Sequence, residues 1–282
     1  MTASTPRGLG PVLVTGCSSG IGQATAELLL KGGHTVYATA RRPETLADLA
    51  AAGARTVALD VTSEQSMSAA VRAVEGEHGR VGALVNNAGY GEYGTIEETD
   101  LDKVRTMFET NVFGLARMCQ LVLPAMRAAR SGRIVNIGSM GGRLTWPVGG
   151  YYHATKYAVE AVSDALRNEV RPFGLAVVLI EPGLIRTGFE ETAMSSDAHV
   201  PQADSPYAAL LAASASTTSG GYQNAMLATG PEAVAKVVLK AVEARRPRSR
   251  YVVTPAARAA IATRTLGGDR VWDAVVRSQF RH

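Results

Sequence analysis

Short apolar runs rich in valine and isoleucine alternate with longer stretches of helical period along most of the chain. The runs are PVLVTG from Pro11, HTVYATA from His34, RTVALDV from Arg55, GALVNNAG from Gly82, GRIVNIGS from Gly132, LAVVLIEPG from Leu175 and RYVVTP from Arg250. Each is nearly continuously apolar, the pattern of parallel strands covered on both faces. Helical periodicity fills the intervals: Ile21 to Lys31 closed by Gly32 and Gly33, Ser63 to His78 opened by Ser63, Leu101 to Ala129, and Tyr152 to Val170. Caps and terminal glycines fall where helices should start and stop. This alternation predicts the doubly wound α/β class, with a parallel seven-stranded sheet and helices on both faces.

No linker or short repeat divides the pattern, so residues 1–282 read as one domain. One stretch departs from it. Glu190 to Gly230 contains SSDAHVPQADSP and ASASTTSGGYQ, rich in Ser, Ala, Gly and Pro and with little strong period. A connection that long inside a compact domain is either disordered or functional. It follows the sixth strand and so lies at the carboxyl edge of the sheet, where ligands bind in this class. Residues 188–230 are therefore expected to form a substrate lid, and residues 256–282 a C-terminal extension.

Composition narrows the setting. Hydrophobic residues make up 46% and charged residues 19%, a globular rather than a disordered balance. Much of the net charge of +4 sits in EARRPRSR (Glu243 to Arg250), which has no aromatic residues interleaved, and in the C-terminal segment. That reads as a solvated surface and argues against a nucleic-acid partner. Cys17 and Cys119 cannot build a disulfide scaffold and suggest a reducing compartment, Cys17 as a small loop residue and Cys119 as core. The N-terminal MTASTPRGLGP lacks an apolar signal region, and no apolar run reaches the roughly 18 to 20 residues of a membrane span. Five scattered histidines offer no metal-ligand spacing. The expected setting is cytoplasmic, without membrane or metal.

Two motifs carry candidate chemistry. VTGCSSGIG places Gly16, Gly20 and Gly22 directly after a strand and before a helix. Gly16 permits a tight turn, Gly20 lets backbone approach a pyrophosphate, and Gly22 lets the helix sit close to the sheet. The helix N-terminus then offers N–H groups and a positive dipole end, with Ser18 and Ser19 as added donors. At the end of the second strand, where a carboxylate would bind the ribose hydroxyl of NAD, the chain has Ala40 followed by Arg41 and Arg42. Guanidinium groups there suit a 2′-phosphate, so NADP(H) is expected over NAD(H).

The second motif is GGYYHATKYAV, with three tyrosines and one lysine. Positions four apart share a helix face, which selects Tyr152 over Tyr151 and Tyr157 as the partner of Lys156. A positive charge about 5 Å from a phenol, at an effective dielectric near 20, is worth roughly 3 kcal/mol. That would lower the phenol by about two pKa units. The spacing alone is common by chance, and the same residues could be a packed helix face.

In order along the chain stand TGCSSGIG (Thr15 to Gly22), Asp60-Val61, NNAG (Asn86 to Gly89), Asn111 in ETNVFG, Ser139 in NIGSM, YHATK (Tyr152 to Lys156) and PGLIRT (Pro182 to Thr187). This series, from about Val12 to Thr187, resembles the single-domain branch of the short-chain dehydrogenase/reductase family. The resemblance implies a Rossmann-fold oxidoreductase with a Ser139–Tyr152–Lys156 triad assisted by Asn111. In it Ser139 holds the substrate oxygen and Tyr152 exchanges the proton. Lys156 binds the nicotinamide ribose, and Asn111 anchors a water relay. It further implies cofactor contacts from Gly16, Ser18, Ser19, Gly20, Ile21 and Gly22, from Asp60 and Val61, and from Asn87, Ala88 and Gly89. Pro182, Gly183, Ile185 and Thr187, with Tyr152 and Lys156, complete that set.

The implied reaction interconverts a secondary alcohol and a ketone or aldehyde. The likeness to hydroxysteroid and retinol dehydrogenases points to a hydrophobic small-molecule substrate, with Tyr90, Tyr93, Leu144 and Trp146 as pocket walls. His153 is expected on the helix surface. Family members commonly form homodimers or homotetramers through the helices that hold Asn111 and Tyr152. A catalytically idle NADP(H)-binding redox sensor is the alternative, although it would not need all four catalytic groups.

Overall fold

The computed structural model describes residues 9–188 and 205–280. Strands β1 (Val12–Val14), β2 (Val36–Ala40), β3 (Arg55–Ala58), β4 (Ala83–Asn86), β5 (Arg133–Ile137), β6 (Ala176–Glu181) and, near the C-terminus, Arg250–Val252 form one sheet. Its order is β3-β2-β1-β4-β5-β6 followed by Arg250–Val252, and every pairing is parallel. All seven runs read from the sequence are strands of this sheet. The chain direction across it reverses between β1 and β4, which opens a crevice at their carboxyl ends.

Helices cover both faces. They are α1 (Gly20–Lys31), α2 (Ala47–Ala51), α3 (Glu64–His78), α4 (Leu101–Phe108), α5 (Leu115–Ala128) and α6 (Gly150–Val170). Alternation along β1 shows why the strands are apolar throughout: Val12 and Val14 enter one core with Leu29 and Val238, while Leu13 enters the other with Val71, Met118 and Leu166. Local signals set several helix ends. The Ser63 side chain accepts from Ser66 N–H at the start of α3, and Gly79 takes φ +76° at its end. Arg133 is buried and donates to the carbonyls of Ala241, Val242 and Ala244, closing the helix Pro231–Glu243 from outside it.

Two expectations need correction. The helix expected over Leu101 to Ala129 is interrupted by a π-helical turn, Glu109–Gly114, between α4 and α5. The weakly periodic stretch Glu190 to Gly230 is in part regular. Residues 189–204 lie outside the described residues, but beyond them come α7 (Ala208–Gln223) and a strand. That strand, β8 (Ala228–Thr229), pairs in parallel with β7 (Leu184–Ile185) in a second small sheet. The alanine content of α7 supports a helix without an amphipathic stripe, and its composition alone had suggested a loop. The fold ends with α8 (Pro231–Glu243), β9 (Arg250–Val252) and α9 (Pro255–Gln279). The last helix is broken at Gly268, where φ is 67° and ψ −167°.

Candidate active site

At the carboxyl edge of the sheet lies a cavity of about 1190 Å³. Its cofactor end is made of backbone. Gly16 has φ +71° and Gly20 φ +58°, a region open to glycine at little cost. Packing adds a second constraint. A Cβ on Gly22 would lie 2.1 Å from the Gly16 carbonyl oxygen, and one on Gly16 would lie 2.9 Å from Ala88 Cα. The loop is pinned to the neighbouring strand by Thr15, whose Oγ1 accepts from Asn87 N–H and Ala88 N–H at 2.9 Å each. Asn87 Nδ2 returns bonds of 2.9 Å to the carbonyls of Thr15 and Gly16.

This end fits an anionic dinucleotide. Ser19 precedes α1 without a side-chain cap bond, and no acidic residue occupies the first turn. The positive end of the helix is thus left for phosphate. Ser18, Ser19, Gly20 and Ile21 line the cavity, while Gly22 is buried behind them. Asp60, Val61, Ala88, Gly89, Pro182, Gly183, Ile185 and Thr187 line it too. Asp60 accepts from Thr62 N–H and Oγ1; these bonds, with a smaller contribution from Arg41, hold its carboxyl below the usual range. Arg41 lines the cavity. Arg42 does not: it is exposed, and its carbonyl accepts from Thr45.

Of the catalytic candidates, Ser139, Tyr152 and Lys156 line the cavity, while Asn111 is buried behind its wall. Ser139 follows the end of β5 in extended backbone and opens the short 3₁₀ turn Met140–Gly142, its Oγ accepting from Gly141 N–H at 3.0 Å. Tyr152 and Lys156 share the inner face of α6, with Lys156 Nζ 5.8 Å from the phenol ring centroid. Nζ also donates to the Ile137 carbonyl at 3.1 Å. Asn111 lies in the π turn and is 2% exposed. Its Oδ1 accepts from Tyr90 N–H, and its Nδ2 donates to Tyr90 O and Thr155 Oγ1. A Cβ on Gly89 would sit 2.9 Å from Asn111 Oδ1 and 3.8 Å from Lys156 Nζ, so this glycine gives the two polar groups their room.

Electrostatics correct another expectation. Burial pushes the Tyr152 phenol up to about 12, and the hydrogen bond from Ser139 only partly opposes it. Burial also pulls the Lys156 ammonium down to about 8. In the protein alone, desolvation of the phenol outweighs that hydrogen bond. The phenol therefore holds its proton at neutral pH.

His153 is not on the surface, as helical direction had suggested, but 4% exposed. Trp146 N–H donates to its Nε2 at 3.2 Å, so the ring proton sits on Nδ1, which donates to Gly141 O at 3.0 Å. The ring thereby ties α6 to the Ser139 turn and to the Trp146 wall. Burial lowers His153 to about 4 and keeps it neutral. Tyr90, Tyr93 and Trp146 line the cavity as expected. Leu144 does not, being fully buried behind the wall. Tyr222 of α7, within the stretch expected as the lid, and Phe280 after α9 also line it, and neither was singled out by sequence. Neither lies in a motif, and no local pattern would have marked them.

Cys17 and Cys119 are buried free thiols, each raised to about 12 by burial. Among the described residues no helix is long and apolar enough to cross a membrane. No cluster of three or more His, Cys, Asp or Glu among them could hold a metal ion.

A glycine loop under a helix terminus, joined in one cavity to a serine, a tyrosine and a lysine, defines an oxidoreductase built on a dinucleotide site. The family model described as short chain dehydrogenase matches residues 11–198, and the chain belongs to this family of oxidoreductases acting on CH–OH groups. It is 44% identical over 181 residues to a 3-ketodihydrosphingosine reductase of Bacteroides thetaiotaomicron, a match covering 64% of this chain and 65% of that protein. A short-chain dehydrogenase structure from Streptomyces avermitilis is 35% identical with a TM-score of 0.81, covering 96% of this chain and 98% of that one. A metagenomic short-chain oxidoreductase in complex with NADP is 26% identical with a TM-score of 0.68, covering 88% and 97% of the two chains. A short-chain dehydrogenase/reductase from Burkholderia phymatum in complex with NAD is 28% identical with a TM-score of 0.78, covering 91% and 93%. The family uses NAD(P) on small-molecule substrates.

Proposed function

We propose that the protein is an NADP(H)-dependent carbonyl reductase, interconverting a hydrophobic ketone or aldehyde and its alcohol with Tyr152 as the acid and base. The observation that carries this reading is the Ser139 hydrogen bond to Tyr152, with Lys156 beside the ring, in the cavity that the glycine loop enters. The bound nicotinamide would supply or accept the hydride. Ser139 holds the substrate oxygen and stabilises charge developing on it. Tyr152, protonated at neutral pH, gives its phenolic proton to that oxygen in reduction. Lys156 holds the ribose hydroxyls and keeps positive charge near the phenolate left behind. Asn111, fixed by Tyr90 and Thr155, positions the route by which that proton is replaced.

The preference for NADP rests on Arg41, which follows Ala40 at the end of β2, where no acidic residue stands. Ile185 and Thr187 would bind the carboxamide. Of the stretch 188–230 expected as a substrate lid, the described part 205–230 serves that role, supported by the places of Ser214, Thr217, Thr218 and Tyr222 on the cavity wall. Aromatic walls and the similarity to a protein named as a keto-compound reductase favour an apolar ketone. The exposed Leu101 and Phe113, beside a shallow groove on α4 and the π turn, favour assembly as a homodimer or homotetramer through these helices. The compartment we assign is the cytoplasm.

Tyr152→Phe tests the reading. NADPH-dependent ketone reduction should fall by about 10²–10⁴-fold while NADPH binding, followed by fluorescence, persists. Full reductase activity in that variant would overturn the assignment.

A further inference from the structure

The last turn of α9 is needed neither by the glycine loop nor by Ser139, Tyr152 and Lys156, yet it ends on their cavity. Gln279 and Phe280 both line it, and Phe280 is only 6% exposed. Three ties hold this end in place. Trp272 Nε1 donates to the Thr145 carbonyl at 3.0 Å. Trp146 Nε1 donates to Gln279 Oε1 at 3.3 Å. Thr217 Oγ1 of α7 donates to the Gln279 carbonyl at 3.3 Å. The two indoles also meet edge to face, with centroids 5.4 Å apart.

This assembly stands apart from the packing that stabilises the sheet. Trp146, Trp272 and Phe280 belong to neither of the two core clusters. The buried Trp272 and Phe280 and the half-buried Trp146 form a wall instead. The wall is close to the chemistry, since the Trp146 ring lies 6.0 Å from that of His153, which lies 5.7 Å from the Tyr152 ring. The break at Gly268, with φ 67°, lets the second half of α9 take the direction that brings Gln279 to Trp146.

We infer that the Gln279–Phe280 end of α9, braced on Trp146, limits how far a ketone substrate can extend beyond its carbonyl. The inference rests on the carbonyl-reduction reading and adds a size limit to it. The side chain at position 280 sets that limit, and the Trp146–Gln279 bond keeps the wall upright.

The test uses the full-length protein and a ladder of methyl n-alkyl ketones from 2-butanone to 2-dodecanone with NADPH. Phe280→Ala should raise the ratio of kcat/KM for the longest ketone over the shortest by at least about tenfold, within the range a few methylenes command in an apolar pocket. Phe280→Trp should lower the same ratio. A ratio that is unchanged in both variants, or that moves the same way in both, overturns the inference, because a merely structural role would affect all ketones alike. Binding separates this from the parent reading. The chain has two tryptophans, both in the wall, so their fluorescence reports occupancy without turnover. A protein that binds the ladder with the expected size shifts but reduces none of it refutes carbonyl reduction and upholds the wall. Dissociation constants with the same length dependence in the parent and both variants refute the wall.

Discussion

The two ends of the cavity are built in opposite ways. At the cofactor end the glycine loop sits against main-chain atoms: a Cβ on Gly22 would strike the Gly16 carbonyl, and one on Gly16 would meet Ala88 Cα. At the substrate end the wall is side chains brought from distant parts of the chain, Trp146 to Gln279 and Trp272 to Thr145. Glycines occur at both ends but mean different things. A Cβ on Gly22 would strike a carbonyl oxygen that cannot leave, whereas one on Gly221 would meet Leu184 Cδ1 at 2.9 Å, the free end of a flexible side chain. A backbone site admits one residue type, while a side-chain site can be repacked.

The sharpest way to break this contrast is to add the same methyl group at each end. Gly22→Ala should abolish NADPH binding and lower stability by about 1–3 kcal/mol or more, read by fluorescence titration and denaturant unfolding. Gly221→Ala should leave NADPH binding intact, shift only substrate KM, and offset its crowding with up to ~1 kcal/mol of helix propensity. Equal losses in the two variants would erase the distinction.

A smaller effect separates two neighbouring cations. Arg41→Ala should weaken NADPH binding by about tenfold and leave NADH unchanged, the low end for a charge-assisted bond because the side chain is exposed. Arg42→Ala should change neither, since Arg42 is not on the cavity wall. A matching loss from Arg42→Ala would place the 2′-phosphate elsewhere.

The smallest effect at neutral pH belongs to the brace between the two ends. Burial takes His153 from an ordinary 6.5 to about 4. Between those values the unfolded chain binds more protons than the native one. The contribution is therefore complete above 6.5 and is lost as the pH falls toward 4, by a total on the order of 3 kcal/mol. Denaturant unfolding at a series of pH values should show that acid limb flattened in His153→Gln. An identical limb would show that other groups carry it.

The same division decides what could be read from the sequence. The glycine loop, the seven strands and the Tyr152–Lys156 pair were legible because each is a local pattern imposed by backbone geometry or helical spacing. The Ser139 and Asn111 positions became legible only through resemblance to a family. His153 was misjudged because direction relative to Lys156 is not burial. Its neighbours Gly141 and Trp146 come from a turn that folds over α6, leaving that helix buried on a broad face that includes His153, Lys156 and Glu160. Helix α7 was hidden by an even mix of small residues. Gln279 and Phe280 lie in the C-terminal extension but were not singled out as residues, since their significance arises from contacts such as Gln279 with Trp146, more than a hundred residues away in sequence.

The π turn at Glu109–Gly114 makes chain length, rather than composition, the quantity held constant in its region. A π turn carries one residue beyond what an α-helix would use. Deleting a single residue there would restore regular winding and turn the remainder of the helix by about 100°. Met118, Cys119 and Val122 would rotate away from the sheet they now cover. Asn111 could not then keep its bonds to Tyr90 while α5 kept its seat. Substitution at the exposed Phe113 is a local event, but a one-residue gap beside it would require the domain to choose between its core and its active site.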